Sequence, residues 1–180
     1  MEIEISKLIE GKQTYPSWAT NSIHNLQSHE DKEGVLVYYR TKSNKLISRF
    51  FPNKVNLTPR LIYVLGLLKG EGSNSIGDSN YRRFTMTNSD PAIIKIVLNE
   101  LDKHNLFKKS KLIDKSIHLL HHTKSNKEVI SYWSKKLGLN KSKFKCFNSK
   151  KTTPFGVCHV YISDVLLRRV VDLIHEKIMD

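Results

Sequence analysis

The chain has 180 residues, with 30 Lys and Arg against 17 Asp and Glu, so its formal net charge is +13. Hydrophobic residues make up 39% of it, which is enough for a core and excludes a wholly disordered chain. The longest apolar run, residues 61–68, is far shorter than the ~20 residues of a membrane span, and the acidic N-terminus lacks a secretory-signal pattern. Two cysteines form neither a disulfide framework nor a zinc quartet. We therefore expect an intracellular, cytoplasmic protein, with no membrane partner, that binds a polyanion.

The positive charge is concentrated in one part of the chain. Residues 103–151 contain fourteen lysines and no arginine, against only Asp114 and Glu128. Such a segment is compatible with an ordinary solvated lysine face or with a surface that follows a phosphate backbone. Lysines alone would position a nucleic acid without specifying its sequence.

Residues 1–56 are predicted to form an N-terminal extension built around a β-hairpin. Two runs rich in β-forming residues, Val35–Arg40 and Leu46–Phe51, flank a polar turn, and Pro52 ends the second. We expect irregular structure over residues 20–29, which are rich in Asn, Ser and His.

The rest of the chain, residues 57–180, predicts alternating helices and strands of an α+β fold. Thr58 and Pro59 begin a helix that ends at Gly72. Ser89 or Asp90, with Pro91, begins a second, and Ser163 or Asp164 begins the last. Another helix is expected over residues 126–137, ending at Gly138. The predicted strands are residues 73–76, 81–87, 113–122, 143–148 and 155–163.

The helix that begins at Pro59 has an unusual composition. Gly66 and Gly70 are four residues apart and share one helical face, although a glycine inside a helix costs about 1 kcal/mol relative to alanine. Two such glycines are expected where another backbone comes close. Glu71 lies at the end of this helix, where the macrodipole disfavours a carboxylate. A metal ion or a positively charged partner at that end would offset the cost.

This stretch resembles the signature helix of the LAGLIDADG homing endonuclease family. The matching positions are Gly66, the apolar pair 67–68, Gly70, Glu71 and Gly72, and the run 84–90 also looks like that family. Lys69 departs from the motif, which usually has an acidic or variable polar residue there. The resemblance covers about residues 57–178, with the helix at 126–138 resembling an insertion.

The resemblance implies an αββα core with a β-sheet saddle that sits on double-stranded DNA. In the family, two copies of the motif helix pack about a two-fold axis, and this chain has one copy, so a homodimer is implied. The expected interface consists of Tyr63, Gly66, Leu67 and Gly70. The protein would then be associated with the nucleoid.

The resemblance also implies metal-dependent hydrolysis of DNA. Glu71 of each subunit and the carbonyl of Gly70 would hold Mg²⁺ or another divalent cation, which stabilises charge on the scissile phosphate and activates water. Asn88, at the end of a predicted strand, would position water. Lys151 would offset phosphate charge.

Strand alternation separates a core face from a face that could contact DNA. Phe84, Met86, Phe144 and Cys146 are expected in the core, as are Cys158, Val160 and Ile162. The opposite face gives Arg83, Thr85, Thr87, Lys143, Lys145, His159 and Tyr161, and the predicted DNA-binding set adds Ser75 and Lys150. Arginine can pair bidentately with guanine, whereas threonine and lysine contact phosphates or base edges.

Two other functions remain open at this point. The chain could be a DNA-binding regulator that does not cleave, or an RNA-binding helper of intron splicing, because both occur in the family that it resembles. Glu71 favours the endonuclease, since a protein that only binds has no need of a carboxylate facing phosphates. We also expect Trp133 in the core, Cys146 and Cys158 as buried thiols on neighbouring strands, and no histidine metal site.

Overall fold

The computed structural model describes residues 1–14, 23–70, 84–122, 124–149 and 155–180. Over these ranges the chain is an α+β protein with five α-helices and three small sheets. The helices are α1 (Ile5–Ile9), α2 (Pro59–Gly70), α3 (Pro91–Lys103), α4 (Asn126–Leu137) and α5 (Val165–Met179). The strands are β1 (Glu2–Glu4), β2 (Gln27–Glu30), β3 (Val35–Arg40), β4 (Leu46–Phe51), β5 (Lys54–Asn56), β6 (Phe84–Asn88), β7 (Ile117–His121), β8 (Phe144–Asn148) and β9 (Val157–Ile162). None of these helices is long and apolar enough to cross a membrane.

The predicted helix boundaries are confirmed where capping residues fix them. The Asp90 carboxylate accepts a hydrogen bond from the Ala92 amide, and the Asp164 carboxylate accepts one from the Leu167 amide. α4 begins at a capping box between Ser125 and Glu128. It ends at Gly138, whose φ of 68° is the left-handed conformation that glycine adopts without strain.

The strands in the second half of the chain form a four-stranded mixed sheet, in the order β6-β9-β7-β8. β9 pairs antiparallel with both β6 and β7, whereas β7 and β8 are parallel. A parallel pair needs a crossover connection, and α4 lies in the connection between β7 and β8. The helix that resembles an insertion in the sequence therefore joins two neighbouring strands.

The predicted hairpin of β3 and β4 is confirmed, with Val35 opposite Phe51 and Arg40 opposite Leu46. The expectation of irregular structure over residues 20–29 was wrong for Gln27–Glu30, which form β2 on the free edge of β3. All four β2 residues are exposed, so the strand has no hydrophobic alternation for a sequence to show. Backbone hydrogen bonds to β3 hold this segment in the strand conformation.

The core surrounds α5. Every residue from 166 to 174 is buried, which means that α5 is covered on all sides. One continuous hydrophobic cluster includes Ile5 and Ile9 of α1, Val37 of β3, Leu65 of α2 and Val170 of α5. The N-terminal extension therefore contributes to the same core as the motif helix and the four-stranded sheet.

Several side chains differ from their predicted positions. The strand expected over residues 113–122 is shorter, at Ile117–His121, and Lys143 lies in a 3₁₀ turn before β8. Cys146 and Cys158 are not on neighbouring strands, because β7 runs between β8 and β9. Cys158 is fully buried, but Cys146 is only partly so. Trp133 is buried as expected, and its indole Nε1 donates to the Phe155 carbonyl.

Candidate nucleic-acid interface

One face of the four-stranded sheet is buried and the other is accessible to solvent. On the buried face lie Met86, Leu119, Cys158 and Val160. The opposite face, which we call the open face, carries half-buried or exposed side chains. Its members are Thr85, Thr87, His118, Leu120, Lys145, Phe147, Val157, His159 and Tyr161.

A continuous polar row crosses the open face. Strand register places Thr87, His159, His118 and Lys145 side by side, one residue from each of the four strands. The Thr87 hydroxyl and His159 Nδ1 are hydrogen-bonded at 2.9 Å. Burial, and then the neighbouring His118, lower the pKa of His159 below its usual value, so the imidazole is held neutral at neutral pH. The row thus joins hydrogen-bonding groups to a lysine at one edge.

Five of the predicted DNA-binding residues meet on the open face: Thr85, Thr87, Lys145, His159 and Tyr161. Sequence reasoning missed two others, His118 and Phe147. Alternation within β7 and β8 indicates both, because His118 is next to Leu119 and Phe147 is next to Cys146, which face the core side.

Lys143 differs from Lys145 in its surroundings. Lys143 Nζ lies 3.0 Å from the Asp114 carboxylate, and its side chain is largely buried. That hydrogen bond, together with one from Ser142, lowers the pKa of Asp114. Lys145 is exposed, with its Nζ 4.8 Å from the centre of the Phe147 ring. The charge of Lys143 is therefore compensated within the chain, whereas that of Lys145 is directed outwards.

α2 has a buried side and an exposed side that is also apolar. Leu61, Val64, Leu65 and Leu68 are buried. The exposed side, which we call the glycine face, consists of Ile62, Tyr63, Gly66 and Gly70, with Leu67 half-buried at its margin. Tyr63 is 53% exposed, and a Cβ atom added at either glycine would meet nothing within 4 Å. Packing within the described part of the chain therefore gives no reason for glycine at these two positions.

The C-terminal end of α2 is anchored to α5 by charge. Lys69 Nζ lies 3.0 Å from the buried Asp172 carboxylate, which also accepts a hydrogen bond from Arg168 Nε at 3.2 Å. This pairing gives Lys69 a structural role in joining α2 to α5. It also fixes the helix two residues before Glu71.

Asn88 is the last residue of β6, as expected, on the same side of the strand as buried Met86. Its side-chain oxygen accepts a hydrogen bond of 2.8 Å from the Asp90 amide. Asn88 thus shapes the turn into α3. Any contact that it makes with a bound molecule would be additional to that role.

Several predicted site residues lie outside the described residues. These are Glu71, Ser75, Arg83, Lys150 and Lys151. The strand expected at 73–76 and the first part of the one expected at 81–87 lie outside them as well, and the Phe84 side chain is not described. Within the described ranges, no group of three or more His, Cys, Asp or Glu side chains could hold a metal ion.

The sequence and fold were compared with models of known protein families, with curated proteins and with solved structures, and none of them matches.

Proposed function

We propose that the protein is a metal-dependent endonuclease of the LAGLIDADG type that acts on double-stranded DNA as a homodimer. The observation that carries this proposal is the glycine face of α2. It is apolar and exposed, it has no side chain at Gly66 and Gly70, and it runs along the helix that leads directly to Glu71.

A second copy of α2 is the partner that best accounts for the glycine face. Alanine at Gly66 would fit in the isolated chain and would stabilise the helix by about 1 kcal/mol. Glycine at this position is therefore useful only if another surface comes closer than a Cβ atom would allow. A two-fold axis through this face would bring the ends of two α2 helices together and place Glu71 of each subunit near the axis.

The open face of the four-stranded sheet is the proposed surface for duplex DNA. Thr85, Thr87 and His159 would supply hydrogen-bonding groups, while Lys145 would contact phosphate. The predicted contacts of Ser75, Arg83 and Lys150 belong to the same proposal, whereas Lys143 is paired with Asp114 and is not assigned a DNA contact. The concentration of lysines over residues 103–151 supports a polyanionic ligand.

The end of α2 is chemically suited to Mg²⁺. The last carbonyls of a helix have no intrahelical partner, so the carbonyl of Gly70 is a hard oxygen donor beside the carboxylate of Glu71. When bound, the metal would neutralise phosphate charge and acidify a water molecule. Two glutamates facing each other would repel, which favours cation binding between them. Asn88 would orient water, and Lys151 would offset phosphate charge.

The test is cleavage of a random-sequence duplex library by the full chain in Mg²⁺, followed by sequencing of the new ends. We expect ends clustered around a shared sequence with the wild type, and none in EDTA or with Glu71→Gln. Glu71→Gln keeps the size of the side chain, so its duplex affinity in Ca²⁺ should hold or increase as repulsion from phosphates decreases.

Specific duplex binding without cleavage, unchanged by Glu71→Gln, would contradict the endonuclease and support a DNA-binding regulator instead. Preference for structured RNA over any duplex DNA would support a splicing helper.

A further inference from the structure

Three aromatic rings form a contiguous cluster on the open face. His118 lies at the centre, with its ring centroid 4.7 Å from that of Phe147 and 4.6 Å from that of Tyr161. The ring planes are tilted by 54° and 57°, so neighbouring rings meet at an oblique angle. The register makes Phe147 and Tyr161 diagonal neighbours of His118, which is within reach for aromatic side chains. We call these three residues the ring cluster.

The ring cluster is separate from the hydrophobic core. His118 and Tyr161 are half-buried and Phe147 is 37% exposed, on the side of the sheet opposite to Leu119 and Val160. The exposed part of the Phe147 ring contributes no hydrophobic stabilisation unless another molecule covers it. The arrangement therefore favours a ligand that covers the rings.

One positive charge lies beside the rings. Lys145 shares the open face and lies against Phe147, with its Nζ 4.8 Å from the ring centre. Its row continues to His118 and His159. A cationic group beside exposed aromatic rings is the combination with which proteins bind single-stranded nucleic acids, because the cation contacts the backbone and the rings stack with bases.

Duplex DNA would leave the faces of these rings without stacking partners. In a duplex the base faces are covered by their neighbours, so the grooves offer Phe147 only edge contacts, such as one with a thymine methyl group. An unpaired base presents its whole face, and stacking tolerates any base sequence.

We propose that the ring cluster binds unpaired bases of a DNA strand, so that the open face holds DNA in which pairing has been lost next to the duplex contacts. This inference rests on the proposed function, because that function makes DNA the nucleic acid on the open face. It adds a single-stranded substrate class and assigns His118 and Phe147 to it.

The experiment compares two labelled probes, a thymidine 15-mer and a duplex of the same length, by fluorescence anisotropy at one salt concentration. Phe147→Leu keeps an apolar side chain and removes the ring. We expect it to weaken 15-mer binding by about tenfold and to change duplex affinity by less than about twofold. Phe147→Trp, which keeps an aromatic ring, should bind the 15-mer about as tightly as the wild type.

Phe50→Leu is the matched control, because Phe50 is also exposed on a strand but belongs to the N-terminal sheet. We expect it to leave 15-mer affinity unchanged. Equal losses from Phe50→Leu and Phe147→Leu, equal losses for both probes, or no loss at all would overturn the proposal. Tighter binding of a uridine 15-mer than of the thymidine 15-mer would overturn the assignment to DNA.

The two proposals can fail separately. Ring-dependent 15-mer binding in a protein that never cleaves duplex DNA would remove the endonuclease and leave the ring cluster. Cleavage of duplex DNA without ring-dependent binding of the 15-mer would remove the ring-cluster proposal and leave the endonuclease.

Discussion

Lys143 and Lys145 are two residues apart, yet the structure gives them different electrostatic surroundings. Lys143 is paired with Asp114, while Lys145 is exposed beside Phe147. The sequence assigns both to DNA contact by alternation alone. Alternation cannot show the ion pair, because Asp114 is distant in sequence and precedes β7.

This difference predicts distinct salt dependences for duplex binding. Lys145→Ala should reduce the slope of log K against log salt by about 0.9, the value of one phosphate contact. The double variant Lys143→Ala/Asp114→Asn removes one charge of each sign and should leave the slope unchanged. Anisotropy titrations over a range of salt concentrations measure both. Equal reductions in the two proteins would contradict the assignment of Lys145 as the phosphate contact.

At the scale of elements, the sequence predicts where α2 begins but not which residues of α5 it contacts. Thr58, Pro59 and the apolar run define the helix, and the structure places it at Pro59–Gly70. What the sequence could not show is that Lys69 pairs with Asp172, which lies more than a hundred residues later in the chain. The role of Lys69 is therefore revealed only by the packing of α2 against α5.

The shared carboxylate predicts unequal effects of two substitutions. Asp172→Asn removes the charge that both Lys69 and the buried Arg168 contact, and should lower the free energy of unfolding by about 3 kcal/mol. Lys69→Gln leaves Asp172 with Arg168, and because Lys69 is partly exposed it should cost less than about 1 kcal/mol. Urea unfolding measures both. A larger loss for Lys69→Gln would show that the partly exposed Lys69 is the more important partner.

For the whole molecule, the sequence predicts the hairpin of the extension but not its place in the core. The sequence predicts a boundary between the extension and residues 57–180, whereas the structure places Ile5, Val37 and Val170 in one hydrophobic cluster. Arg49 of β4 reaches Asp164 at the start of α5, and Arg169 donates to the Gln13 carbonyl. Such contacts join positions more than a hundred residues apart, which local patterns do not encode.

Removal of residues 1–56 should therefore prevent the remainder from folding cooperatively. It would expose one side of α5, whose residues 166–174 are all buried in the full chain. We expect the 57–180 fragment to be aggregated or to lack a sharp thermal transition by circular dichroism, with the full chain as control. A soluble fragment with a cooperative transition would show that the extension is a separable addition.

The proposed shared site requires the glycine faces of two copies of the chain to pack together, and sedimentation equilibrium of the wild type and Gly66→Ala tests that packing most directly. The wild type should be dimeric at micromolar concentration, and Gly66→Ala should weaken the dimer by about tenfold or more, because a methyl group at a close helix contact forces the backbones apart. At concentrations where both proteins are monomeric, Gly66→Ala should instead be more stable by about 1 kcal/mol, since its Cβ meets nothing within the chain. A monomeric wild type, or a Gly66→Ala dimer as tight as the wild type, would contradict the shared site.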